Sequence, residues 1–162
     1  MRNNASLVYV FFLVIGDFLA LVAAFASAYY LRVRLDDRPL HITGLSGEDY
    51  LLTLVFLIPF WLLIFGLLGL YNKNTYENRF SEFGRLIVGS FVGILFLIGY
   101  GYITETQVFP TRLITLYALL LAFLFVLLFR TLARGARRSL FSFGVGVNNV
   151  LIVGDTPVTK EF

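Results

Sequence analysis

Apolar residues fall in four long runs along this chain, and the charged residues stand almost entirely in the gaps between them. Leu7 to Leu31 is broken only by Asp17, and Tyr50 to Tyr71 carries no charge at all. Leu86 to Ile103 is shorter, and Leu113 to Phe129 is almost purely aliphatic and aromatic. Crossing about 30 Å of hydrocarbon at about 1.5 Å per residue takes roughly 20 apolar residues. None of the runs alternates as a barrel strand would, and a lone strand in lipid leaves its backbone groups unpaired, so each run is predicted to be a helix. The expected fold class is an all-α membrane protein, a four-helix transmembrane bundle over residues 1–140, with 141–162 as a connector and the start of something else.

Composition agrees with that pattern. Hydrophobic residues make up 59% of the 162, charged residues 14%, and the mean hydropathy is +0.84. A soluble domain needs far more polar surface. A net charge of +3 gives little reason to expect a nucleic-acid partner. The absence of cysteine removes disulfides and thiolate chemistry, and a single histidine leaves little for a metal centre. Ala26-Ser27-Ala28 has the small-x-small look of a signal-peptidase site, but the preceding run is long for a signal peptide and carries an aspartate.

Orientation follows from the cations beside the runs. With both termini cytoplasmic, Arg2, Lys73, Arg79, Arg85, Arg130, Arg134, Arg137 and Arg138 lie inside and Arg32, Arg34, Arg38 and Arg112 outside. Asp36, Asp37, Glu48 and Asp49 offset the outer arginines. His41 falls in that outer loop and reads as solvated; Arg112 reads as snorkelling to the outer headgroups.

Within the runs, Gly16, Ala20, Ala24 and Ala28 recur every four residues, as do Gly89 and Gly93, and Ala118 and Ala122. Small residues at that spacing let helix backbones approach closely, and the first stripe is expected to be a packing face, within the bundle, in a homo-oligomer or against a catalytic region outside this chain. Asp17 stands at the edge of that stripe. An ionised group there costs at least ~2.5–3.5 kcal/mol unless it faces protein. No second ionisable residue lies inside any other run, so a proton relay would have no next member; a structural hydrogen bond is the expectation. Pro59 should disturb the second helix, and Trp61, Tyr71, Tyr100 and Tyr102 lie in or near the ends of runs, several of them fitting an interfacial belt.

Arg130, Arg134, Arg137 and Arg138 follow the last run at helical spacing. They are candidates for contact with anionic headgroups or a lipid-linked phosphate, worth ~1 kcal/mol each near an anionic surface; the plainer reading is a positive-inside anchor. Val150-Leu-Ile-Val153 then reads as a buried strand, ended by Gly154-Asp155, with Thr156 and Pro157 starting a helix. That is how a Rossmann-like domain opens, but a dinucleotide fingerprint would need glycine where Thr156 and Thr159 stand. One strand cannot make a core, so either the chain is a fragment of a longer polypeptide, or its tail stays unfolded or pairs with another chain.

Asp17-Phe-Leu-Ala-Leu through Tyr30-Leu-Arg32, Gly69-Leu-Tyr71 before a basic loop, and the stretch from Arg130 through Gly-Val-x-Asn-Val-Leu-Ile-Val-Gly-Asp155 together resemble the N-terminal membrane region of the large bacterial polyprenyl-phosphate sugar-phosphate transferases. The resemblance covers essentially the whole chain but rests on arrangement more than on sharp motifs. It implies a place in the bacterial inner membrane, a Rossmann-like cytoplasmic domain, and a later catalytic domain. That domain moves a sugar-1-phosphate from a UDP-sugar to undecaprenyl phosphate in polysaccharide synthesis, using magnesium and an Asp-Glu pair. No catalytic, cofactor or metal position of that domain lies in this chain, which alone should be inactive. Its implied partners are membrane lipid and undecaprenyl phosphate. Membrane-bound nucleotide-sugar dehydratases or epimerases share the four-helix-then-Rossmann layout, and a stand-alone accessory or flippase-like protein is a third reading.

Overall fold

The computed structural model describes residues 4–35, 47–72, 78–105, 108–109 and 112–142; the side chains of residues 4–7, 35, 47, 112 and 137–142 are outside that description. The described residues are all-helical: α1 Asn4–Leu35, α2 Gly47–Leu67, α3 Arg79–Ile103 and α4 Arg112–Ser142. All four are long and apolar enough to cross a membrane. The strand expected at 150–153, and His41, lie outside the described residues.

Each helix packs on its two neighbours in chain order, and the ring closes through α1 and α4, the most extensive contact of the four. The stripe of small residues is the reason. Gly16, Ala20, Ala24 and Ala28 are all buried, as are Ala118 and Ala122 on α4. A Cβ added at Gly16 would lie 1.6 Å from the Phe129 ring, so only glycine lets α4 come this close. The stripe is therefore filled within the chain.

Glycine does the same between α2 and α3. A Cβ at Gly93 would meet the Trp61 indole at 2.0 Å, and one at Gly89 the Phe65 ring at 2.8 Å. Trp61 thus lies in the core, edge-on to Phe25 with ring centroids 5.5 Å apart, and not in an interfacial belt. It stands at the middle of its apolar run, and the glycine facing it on α3 makes room for the indole. Tyr102 is exposed near the end of α3, where a belt residue would stand. Pro59 lies inside α2, which continues through it to Leu67.

α1, α3 and α4 are all longer than their apolar runs, and the extensions of α3 and α4 are polar. α3 starts at Arg79, capped by the Asn78 side chain, which accepts from the Phe80 amide at 3.2 Å. Such a cap satisfies one of the amides that a helix start leaves unpaired. α4 continues through the arginines to Ser142. These polar extensions carry the residues of the site.

The outside of the bundle is apolar. Leu19, Phe56, Leu63, Phe91, Leu95, Leu116, Leu120 and Leu124 are exposed, along with many others. An apolar surface this extensive has no solvent in water and suits lipid.

Candidate functional site: a buried ion cluster joining all four helices

α2 ends in a glycine-closed turn. Gly69 has φ +70°, a conformation that side chains rarely adopt. Its amide donates to the Gly66 carbonyl at 2.9 Å, and the Leu70 amide reaches back to Phe65 at 3.0 Å. This is the paired bonding of a Schellman ending, with Leu70 and Phe65 both buried as the accompanying apolar contact. The turn points Leu70 and Tyr71 back into the bundle. It also leaves helix-end carbonyls in need of donors, and arginines supply them: Arg85 donates to the Leu68 carbonyl at 2.5 Å and Arg130 to that of Leu70 at 3.2 Å.

Arg130 is the centre of the site. It is fully buried, as is Asp17. Its Nε donates to Asp17 Oδ1 at 3.2 Å and its Nη2 to Oδ2 at 2.5 Å, the two-pronged match between a guanidinium fork and a carboxylate. Its Nη1 donates to Glu82 Oε1 at 3.0 Å. Arg134, one turn further along α4, pairs with the other oxygen of Glu82. The Tyr71 hydroxyl donates to Asp17 Oδ2 at 3.1 Å, and its ring lies under the Arg130 guanidinium at 5.3 Å. Two carboxylates face two guanidiniums, so the formal charges of the four balance. Every carboxylate oxygen has a donor.

The cluster accounts for Asp17. No partner was visible inside another apolar run because Glu82 and Arg130 lie just outside the runs, in the polar first turn of α3 and just past the run on α4. A readable signal existed: Asn78 as a cap would have started α3 before Glu82, where an acid also favours the positive end of a helix. Of the four arginines expected at the headgroups, Arg130 is buried against Asp17 and Glu82, because those carboxylates need it more than lipid does. Arg134 is partly exposed but engaged by Glu82. Arg137 and Arg138 are on the last turns of α4, their side chains outside the described residues. Tyr71, expected in an interfacial belt, belongs to the cluster.

Chemically, the arrangement holds charge and does not present it. Among the described residues no three His, Cys, Asp or Glu side chains come together as a metal site would need. No family model, curated protein or solved structure matches this chain.

Proposed function

We propose that this chain is the membrane-anchoring module of a bacterial polyprenyl-phosphate sugar-phosphate transferase, crossing the inner membrane four times with both termini in the cytoplasm. The observation that carries the reading is that the buried ion cluster among the described residues is complete in itself. Asp17 and Glu82 are each neutralised by arginine, which suits a scaffold that fixes helix register and not a relay or a transport path. The cationic positions Arg79, Arg85 and Arg134 lie at the same end of the bundle as the cluster, as positive residues do on the cytoplasmic side. The Gly-Val-x-Asn-Val-Leu-Ile-Val-Gly-Asp155 stretch follows α4 in the sequence and resembles the opening of the Rossmann-like domain in that family.

In this reading, transfer of sugar-1-phosphate to undecaprenyl phosphate belongs to a region beyond these 162 residues. In the resembled family magnesium belongs to that region as well; the buried carboxylates Asp17 and Glu82 here are already taken by guanidiniums. Reading the codons after Phe162 and assaying the resulting polypeptide tests the proposal. A fifth hydrophobic segment, an acidic dyad, and release of UMP from a UDP-sugar that depends on undecaprenyl phosphate are expected. A completed glycine fingerprint followed by Tyr-x-x-x-Lys would replace the reading with a dehydratase or epimerase. A stop codon after Phe162 would replace it with a stand-alone accessory protein.

A further inference from the structure

α3 carries an exposed apolar stripe along its length, and an arginine without a partner stands at the head of it. Phe80, Phe83, Ile87, Phe91, Leu95 and Ile98 are all exposed. They recur every three or four residues and so share one face of the helix. At about 100° per residue, Arg79 stands about 40° around the helix from Phe83 and about 60° the other way from Glu82. It therefore lies on the border between the stripe and the face that carries Glu82 to α4, where Arg130 and Arg134 hold it. Phe83 is edge-on to Phe123 of α4 with ring centroids 5.5 Å apart, so the stripe runs beside the seam between the two helices. Arg79 is exposed and has no hydrogen-bond or ion-pair partner among the described residues.

Charge at this end of the bundle is not balanced by the chain. Arg79, Arg85, Arg130 and Arg134 stand against two carboxylates, Asp17 and Glu82. Arg130 and Arg134 take both of these, and Arg85 donates to the Leu68 carbonyl, so Arg79 and Arg85 keep charges that no described carboxylate meets. The neighbouring sequence brings no surplus of acid. Lys73 offsets Glu77, Arg2, Arg137 and Arg138 are positive, and Asp155, Lys160 and Glu161 together leave one negative charge. The excess must be met by anions from outside the chain. Beside an apolar stripe, the anion of matching build is a lipid.

We propose that an anionic phospholipid occupies this place, its phosphate at Arg79 and the exposed part of Arg134, and one acyl chain laid along Phe83, Ile87 and Phe91. Arg79 is the first residue of a 25-residue apolar helix. Such a helix is about 38 Å long against about 30 Å of hydrocarbon, so a guanidinium at its start reaches the headgroups. A zwitterionic lipid has the same tails but brings its own cation, which the surplus guanidiniums repel. Selection is therefore by charge, with the tail held in common. The headgroup contact expected of Arg130 and Arg134 thus falls mainly to α3, because Arg130 is buried and has nothing left to give. The proposal rests on the bilayer-spanning reading, and not on transferase activity or on the side of the membrane that the ion cluster faces.

The chain has no cysteine, so one introduced thiol can carry a reporter without background. Ile87→Cys on the stripe and Leu63→Cys on the exposed side of α2 are each labelled with bimane. Each labelled whole chain is reconstituted in phosphatidylcholine vesicles holding the same small fraction of tail-brominated phosphatidylglycerol or tail-brominated phosphatidylcholine. Bromine quenches only at close range, so the signal reads whose tail lies against the label. The brominated phosphatidylglycerol should quench about fivefold more effectively than the brominated phosphatidylcholine at residue 87, the worth of one cation beside an anionic headgroup. At residue 63 the two should be equal. Adding Arg79→Gln should bring the two lipids close to equal at residue 87 while leaving quenching by phosphatidylcholine unchanged, and Arg79→Lys should keep most of the preference. Equal quenching by the two lipids at residue 87, as large a preference at residue 63, or a preference that survives Arg79→Gln would overturn the site. The vesicles are first washed in carbonate and floated. Protein left behind would overturn both the site and the bilayer reading, while floated protein without the preference would remove only the site.

Discussion

A buried guanidinium is tolerable only while its partners hold it, and Arg130 has three: Asp17, Glu82 and the Leu70 carbonyl. Ion pairs of this kind add little net stability relative to a well-packed apolar substitute, because desolvation offsets the attraction. Removing one member is another matter, since it strands the remaining charges. Arg130→Met leaves Asp17 and Glu82 buried with only Tyr71 and Arg134 and should cost about 3–5 kcal/mol. Tyr71→Phe removes one neutral donor from an oxygen that Arg130 still serves and should cost about 1 kcal/mol. Unfolding of the purified protein in mixed micelles by increasing SDS measures both, and the expected order is a large loss for the first and a small one for the second. Asp17 itself was legible in the sequence as a group that must face protein. Its partners were not, because Glu82 and Arg130 sit on helical turns just past the apolar limits, where hydropathy gives no sign that a charge turns inward.

Helix positions were legible because about 20 apolar residues in a row leave few alternatives. Helix ends were not, because caps and arginine-rich last turns carry no hydropathy signal, as Asn78 and the stretch from Arg130 to Ser142 show. Packing was half legible. The spacing of Gly16, Ala20, Ala24 and Ala28 marked a close-approach face, but only the Phe129 ring against Gly16 identifies α4 as the helix that fills it. The glycines of α3 give a test at this scale. Gly93→Ala puts a methyl into the Trp61 indole, 2.0 Å from its nearest atom, and a ring packed in the core has no room to give. It should destabilise the bundle by about 1–3 kcal/mol. Gly84→Ala has nothing within 4 Å and should be neutral or stabilising by up to about 1 kcal/mol through helix propensity. Thermal unfolding of the two variants in the same detergent checks the contrast; equal losses would mean that α2 and α3 do not meet through these residues.

At the scale of the whole molecule, the four apolar helices enclose the Asp17–Glu82–Arg130–Arg134 cluster, which sits toward the end where α1 begins and α4 ends. Apolar exterior and buried charge are two sides of one requirement, since a chain that gives its outer surface to lipid must pair its charges inside. Asn72 and Glu105 are both exposed, one after α2 and the other after α3, and so lie at opposite ends of the bundle. In the cysteine-free chain, Asn72→Cys and Glu105→Cys each give one thiol to probe. The decisive measurement is labelling of these two variants in intact cells with a membrane-impermeant maleimide. Glu105→Cys should react from outside, and Asn72→Cys only after the membrane is opened. Labelling of both in intact cells, or of Asn72→Cys alone, would contradict the four-crossing arrangement and the side on which the ion cluster is placed.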